Sequence, residues 1–145
     1  MSNKLIAKLE LLLSNSYALT IKTQNYHWNV VGSNFVALHQ LFGDQYQELF
    51  TAIDEIAERI RSFGVLVEAD LLYFSQNSQI TAPKKNNNAE KMVADLATGH
   101  QIIIDSLLEA IKIAQDSKDE GTADLFIRRI QVHQKALWML QSINQ

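Results

Sequence analysis

Cysteine is absent from the 145-residue sequence, and proline and glycine are scarce, with one and five residues respectively. Without cysteine, the chain has no disulfide, no thiolate-bound zinc or iron–sulfur cluster and no catalytic thiol. So few helix-breaking residues favour long helices over a β protein with many turns. The hydrophobic fraction of 47% is typical of a folded protein, and the length fits one domain spanning residues 1–145.

The sequence also lacks a strong excess of one charge and a long apolar run. The 13 basic residues stand against 16 acidic ones, so the net charge is −3, which gives no general electrostatic reason to bind nucleic acid. No apolar run approaches the ~18 to 20 residues of a membrane span. Lys8 and Glu10 interrupt the apolar start, where a signal peptide needs an unbroken core. We therefore expect a cytoplasmic protein with no membrane association.

Apolar residues recur at helical spacing in four long segments, which predicts helices over about 3–31, 35–63, 89–116 and 122–143. Ser33 or Asn34 is expected to cap the second helix, and Gly64 is expected to end it. Between the second and third helices, residues 65–74 are predicted to form a short helix and residues 75–88 a loop. Together these elements predict an all-α fold: a ferritin-like four-helix bundle with one long crossover carrying a short helix.

Histidine and carboxylate residues are the candidates for chemistry. Ordinary ferritin-like di-iron sites use Glu-x-x-His pairs, but here no glutamate has a histidine three residues later. His27 and His39 flank the first turn, where an antiparallel hairpin lets them face each other. Asp54 and Glu58 are four residues apart, so both project from one face of the second helix. Imidazole and carboxylate together suit a divalent cation such as Fe(II) or zinc.

Helix geometry limits how these four residues can meet. His39 and Asp54 are about 22 Å apart along one helix at ~1.5 Å per residue, too far for one metal. Either the four do not share a metal, or the histidines of one chain meet the carboxylates of another in a two-fold dimer. The ordinary alternatives are hydrogen-bonded or surface histidines and a solvated carboxylate pair served by Arg59 or Arg61. The residues alone leave these alternatives open.

Three sequence blocks resemble one family closely. The run Gln24–His39, which reads QNYHWNVVGSNFVALH, is similar to the signature of the Dps family of mini-ferritins, the DNA-binding proteins from starved cells. The run Asp54–Gly64 resembles the second block of that family. Gly121–Phe126, His133 and Leu137–Leu140 resemble its C-terminal block. The matches follow in order over almost the whole chain.

The resemblance implies a ferroxidase that oxidises Fe(II), preferentially with hydrogen peroxide, and stores Fe(III) mineral in a hollow shell, so protecting against oxidative damage. It implies a homo-oligomer, a dodecamer built from two-fold dimers. At each dimer interface, His27 and His39 of one subunit would bind iron with Asp54 and Glu58 of its partner. Zinc could substitute for iron. Trp28 matches an aromatic residue near the family's iron site, where it would trap stray oxidising equivalents or pack in the interface.

One position departs from the family pattern. An acidic residue usually lies four positions after the second histidine, but here that position is Gly43, and Asp44 lies about 100° round the helix. We expect one tight metal per site and a weaker second one. The family's acidic pores at three-fold axes make Asp116 and Asp124 possible pore residues, whereas Asp119 is expected to cap a helix.

Two other classes of function remain as alternatives. The first is a nucleoid protein that binds and compacts DNA with little ferroxidase activity. The family commonly binds DNA through a lysine-rich tail, whereas this sequence carries no basic tail and a charge of −3 that twelve copies would raise to about −36. We therefore expect no strong DNA binding. The second is a structural bundle in which the four candidate ligands are incidental.

Overall fold

Five helices form the fold, which a computed structural model describes over residues 3–145. They are α1 (Asn3–Asn29), α2 (Phe35–Ser62), α3 (Leu71–Asn77), α4 (Ala89–Asp116) and α5 (Glu120–Ile143). Helices α1 and α2 pack as one hairpin and α4 and α5 as another, while α1 also contacts α4 and the short α3. Within the described range every regular element is a helix. The predicted all-α bundle with a short helix in its long crossover is confirmed.

Apolar side chains from all four long helices fill the core. Leu9, Phe42, Leu96 and Phe126 are each fully buried, one from each long helix. Two threonines on the buried face of α1, Thr20 and Thr23, donate their hydroxyls to backbone carbonyls of the same helix. The hydroxyl of Thr20 donates to the carbonyl of Ser16 at 2.7 Å, one turn earlier, so its burial leaves no unpaired hydroxyl. The helical spacing that predicted the four long helices thus matches the buried face that they present.

Both ends of α2 were predicted from turn residues. Asn34 is the residue preceding the helix, but its side chain makes no capping hydrogen bond. The helix starts instead on backbone bonds, with the N–H of Leu38 donating to the Asn34 carbonyl at 3.0 Å. Gly64 adopts a φ of +79°, and its N–H donates to the Arg61 carbonyl at 2.9 Å. The predicted glycine cap is therefore confirmed, because only glycine adopts this backbone conformation without strain.

The predicted bounds of the short crossover helix are wrong. We expected it over residues 65–74, whereas α3 spans Leu71–Asn77 and residues 65–70 are irregular. The carboxylate of Asp70 accepts a hydrogen bond from the Tyr73 N–H at 2.7 Å, which starts the helix at that point. Val65 and Val67 still pack against the core without being helical. Their apolar character was compatible with either conformation, and the capping residue decides between them.

A buried polar cluster fastens the crossover to the bundle. The Lys22 ammonium, almost fully buried, lies 2.8 Å from an Asp95 carboxylate oxygen and donates to the Thr81 hydroxyl at 2.9 Å. The Tyr26 hydroxyl donates to the same Asp95 carboxylate at 2.6 Å and accepts from the Lys84 N–H at 3.2 Å. Because its members come from α1, α4 and the crossover, the cluster holds these three segments in one arrangement.

No helix within residues 3–145 is both long and apolar enough to cross a membrane.

Candidate metal centre

His27 and His39 form a reciprocal pair across the α1–α2 hairpin. The Nδ1 of His27 lies 2.6 Å from the backbone oxygen of His39, and the Nδ1 of His39 lies 2.7 Å from the backbone oxygen of His27. A carbonyl oxygen only accepts, so both Nδ1 atoms carry the proton and donate. In the neutral rings the lone pair of each imidazole is therefore on Nε2. This is the usual arrangement of metal-binding histidines, whose other ring N–H is held by a backbone carbonyl or carboxylate.

Stacking fixes the two rings further. Their centroids are 3.8 Å apart and their planes differ by 12°. Phe35 stacks on His39 with a centroid distance of 5.2 Å, and Tyr46 lies 5.4 Å from His27 in a tilted arrangement. Both histidines are half-buried. The structure thus brings the two predicted histidines together and holds them in place by hydrogen bonds and aromatic contacts.

Exposed apolar side chains surround the histidine pair. Trp28, next to His27, is 66% exposed, and Val31 and Val36 near the hairpin turn are 72% and 77% exposed. Large exposed apolar side chains mark a site of protein contact where they group together. The position of Trp28 is compatible with both roles considered for it, as an oxidisable residue near iron and as an interface residue.

Asp54 and Glu58 meet on the exposed face of α2. A hydrogen bond from Glu58 to Asp54, together with repulsion from its charge, raises the pKa of Glu58. The arginines considered as their partners are directed elsewhere, since Arg59 binds Asp119 at 3.1 Å and Arg61 donates to the Val65 carbonyl at 3.0 Å. No lysine or arginine in the described part of the chain forms an ion pair with either carboxylate. The pair is therefore free to bind a cation.

The histidines and the carboxylates do not meet within one chain. In residues 3–145, no three histidine, aspartate or glutamate side chains converge to hold a metal ion. The chain instead presents two separate halves of a ligand set, a histidine half on the α1–α2 hairpin and a carboxylate half farther along α2. That the two halves close into one site between two chains stays a prediction.

The possible pore residues are both exposed, and each has a basic neighbour. Asp116 lies 3.8 Å from Lys112, and Asp124 accepts a hydrogen bond from Arg128 at 3.0 Å. Asp119 accepts from the Thr122 N–H at 3.0 Å, which starts α5 and confirms its expected capping role. Asp116 and Asp124 stay predictions as pore residues, because a pore requires neighbouring subunits.

A second histidine pair, which the sequence did not predict, lies in the bundle core. The Nδ1 atoms of His100 and His133 are 2.9 Å apart, and an Arg129 guanidinium nitrogen lies 3.3 Å from the Nε2 of His133. Because a guanidinium only donates, the Nε2 of His133 accepts, its Nδ1–H donates to His100, and His100 carries its proton on Nε2. Arg129 also binds Glu48 through two hydrogen bonds of 2.5 and 2.9 Å.

The core pair does not fit a cation. Both Nδ1 atoms are engaged with each other, and the neighbouring Arg129 repels a second positive charge. Burial, with a further contribution from the Arg129 charge, lowers the pKa of His100 to about 3. Burial, followed by the effects of His100 and Arg129, lowers the pKa of His133 as well. Both rings are therefore neutral at physiological pH, and the pair is a structural network of the core.

Comparison with known proteins agrees with this architecture. The family profile described as Ferritin-like domain matches residues 6–145. DNA protection during starvation protein 2 from Bacillus anthracis is 34% identical, with 100% of both chains covered. The crystal structure of Dps from Staphylococcus aureus is 30% identical, with a TM-score of 0.97 over 99% of this chain and 97% of that one.

A further solved structure adds a chemical description. The Dps protein from Vibrio cholerae O1, described as a member of a broad superfamily of ferritin-like diiron-carboxylate proteins, is 29% identical with a TM-score of 0.94. The match covers 98% of this chain and 89% of the Vibrio cholerae chain. Fold and matches together define a ferritin-like protein. Within that class the chain belongs to the Dps family, so the resemblance of the three sequence blocks is confirmed.

Proposed function

We propose that this protein is an iron-storing and detoxifying ferroxidase. It oxidises Fe(II), preferentially with hydrogen peroxide, at sites shared by two chains, and it keeps the Fe(III) mineral inside a hollow shell. One observation carries the proposal: His27 and His39 each hold a proton on Nδ1 and leave Nε2 free to bind a metal. The description of the Vibrio cholerae relative as a diiron-carboxylate protein supports iron as the substrate.

The closed site needs a second copy of the chain. In a two-fold dimer every contact occurs twice, so the histidine half of each chain would meet the carboxylate half of its partner at two equivalent sites. The exposed Trp28, Val31 and Val36 beside the histidine half support burial of this surface in such a dimer. Twelve subunits assembled from these dimers would enclose the mineral, with entry through pores near Asp116 and Asp124.

The residues suit the chemistry of pairwise iron oxidation. Two Fe(II) ions supply the two electrons that reduce one hydrogen peroxide to water, so no hydroxyl radical is released. Neutral Nε2 atoms of His27 and His39 bind a borderline cation, and the carboxylates of Asp54 and Glu58 neutralise part of its charge. Zinc favours the same ligands but has no redox chemistry, so it would occupy the site without turnover.

The first prediction concerns stoichiometry. When Fe(II) and limiting peroxide are added to the full-length protein without oxygen, we expect two Fe(II) to be oxidised for each peroxide consumed. Size-exclusion chromatography should then show a particle of unchanged diameter that carries iron. Protein loaded beforehand with zinc is the control and should oxidise iron no faster than buffer. Oxidation of one Fe(II) per peroxide, accompanied by radical adducts of a spin trap, would contradict the proposal.

DNA binding is the second candidate function, because the Bacillus anthracis relative is called a DNA protection protein. Protection of DNA does not require contact with it, since removal of iron and peroxide removes the source of radicals. Duplex DNA would be repelled by the net charge of −3 on each subunit.

The second prediction follows from that charge. In a gel-shift assay at moderate salt without divalent metal, we expect the assembled protein to leave duplex DNA unretarded. A basic DNA-binding protein run on the same gel is the positive control. Retarded bands under these conditions would favour the DNA-compacting alternative.

A further inference from the structure

Gly43 occupies the interior of α2, where glycine weakens a helix relative to nearly every other residue. It is buried, and it lies one turn after His39. A Cβ atom built at Gly43 would lie 3.0 Å from Cε1 and 3.2 Å from Nδ1 of His27. The imidazole of His27 therefore packs directly against the α2 backbone, in space that a side chain at position 43 would enter.

The His27 ring has little freedom to move away from such a side chain. Its Nδ1 is held 2.6 Å from the backbone oxygen of His39, and its face stacks on the His39 ring at 3.8 Å. A shift of the ring by a few tenths of an ångström, which a Cβ at this distance requires, would lengthen the hydrogen bond and disturb the stack. The hydrogen bond is what fixes the proton on Nδ1 and leaves the lone pair on Nε2.

We propose that Gly43 is a positioning residue of the metal site. Its missing side chain allows His27 to pack on α2 with the proton on Nδ1 and with Nε2 exposed. Only the further step, in which Nε2 binds iron, rests on the proposed function. The sequence suggested that Gly43 marks a lost ligand and a weaker second iron. The packing of His27 against the α2 backbone adds a second role for the glycine, which is to leave room for the imidazole ring.

Asp44 is not expected to replace the missing carboxylate ligand, because it lies about 100° round the helix from Gly43. It is exposed, and its carboxylate accepts a hydrogen bond from the Gln40 amide at 2.9 Å on the outer face of α2. The substitution that removes the space without adding a ligand is Gly43→Ala. Because alanine is the better helix former, this variant should keep its helical content while the site loses its preorganisation.

The third prediction tests Gly43 in the metal-free, full-length protein and then with zinc as a redox-inert probe. By ¹⁵N NMR of the imidazoles, we expect His27 of the wild type to be the Nδ1–H tautomer and His27 of Gly43→Ala to be a mixture. Calorimetry with zinc should show binding about 10- to 100-fold weaker in Gly43→Ala, the range found when a hydrogen bond supporting a metal ligand is lost.

Two variants serve as matched controls. Gly99→Ala makes the same change in the middle of α4, where the added Cβ would lie 2.8 Å from the Cδ1 end of Leu19 and 3.8 Å from that of Ile80, and so meets flexible apolar ends instead of the His27 ring. Asp44→Asn removes the neighbouring carboxylate. We expect both to keep the His27 tautomer and the zinc affinity of the wild type.

The outcomes separate this proposal from the proposed function. A wild type that binds no zinc would contradict the proposed function, while the tautomer comparison would still decide the role of Gly43. Wild-type His27 protonated on Nε2, or a Gly43→Ala variant with unchanged tautomer and zinc affinity, would overturn the positioning role. Loss of zinc affinity in Asp44→Asn equal to that in Gly43→Ala would also overturn it, because Asp44 would then be the ligand.

Discussion

Shells made only of His27→Ala subunits, or only of Glu58→Ala subunits, are expected to oxidise Fe(II) no faster than buffer, whereas shells containing both variants recover activity. In a dimer of one subunit of each kind, one site has both substitutions and the other has neither. Half of randomly formed dimers are mixed, and half of the sites in those dimers are intact. The mixed shells should therefore show about a quarter of the wild-type oxidation rate.

This fourth prediction is measured by stopped-flow absorbance of Fe(III) after co-refolding of equal amounts of the two variants. Asp44→Ala is the matched control, because it removes an exposed carboxylate of α2 whose hydrogen bond is to Gln40, and it should keep the full rate. Mixed shells as inactive as the parents would show that the two halves do not come from different chains. Parent shells with wild-type rates would make the four residues incidental.

The fifth prediction is a loss of stability as the pH falls below about 6.5, caused by His100 and His133. Burial keeps both rings neutral in the folded protein, with the pKa of His100 lowered to about 3. The unfolded chain binds a proton on each ring below pH ~6.5, so acid favours unfolding. Well below pH ~6.5, each ring contributes about 1.36 kcal/mol per pH unit, and the pair therefore contributes about 2.7 kcal/mol per unit.

The size of this effect makes it measurable against a typical stability of about 5–15 kcal/mol. Urea unfolding at fixed protein concentration should show a falling midpoint between pH 6.5 and 4.5. The carboxylates with lowered pKa, Glu109 and Asp119, gain protons in the unfolded chain only as the pH approaches their ordinary values of 4.5 and 3.8, so the upper part of this window reports on the histidines. The charged groups that face the pair are Arg129, which lies 3.3 Å from the Nε2 of His133, and Glu48, which binds Arg129. The control is the double variant His100→Leu/His133→Leu, whose midpoint should depend much less on pH, and an unchanged slope in this variant would contradict the assignment.

Much of the fold could be predicted because its signals are local. The spacing of apolar residues located α4 with both ends correct, and the φ of Gly64 required glycine at the end of α2. The start of α3 was missed because it depends on one capping carboxylate, Asp70, within an apolar stretch that suits either conformation. A capping carboxylate can be recognised in the sequence, but the sequence does not show whether it or the apolar pattern determines where the helix starts.

The two histidine pairs show which contacts can be predicted from the sequence and which cannot. His27 and His39 flank a short turn, so a helical hairpin was enough to bring them together. His100 and His133 are 33 residues apart on different helices, and their hydrogen bond depends on how α4 packs against α5. For Gly43 the sequence shows only that a carboxylate is missing. It does not show that a ring from another helix fills the space.

The cluster of Lys22, Asp95 and Tyr26 also determines the rotation of α1 about its own axis. Successive residues of a helix point about 100° apart. With the Tyr26 hydroxyl locked onto Asp95 in the interior, His27 is directed toward α2 and Trp28 toward solvent. Three consecutive residues thus divide one turn of helix between anchoring, the proposed metal site and the proposed contact with another subunit. A slip of α1 by a single residue would disturb all three roles at once.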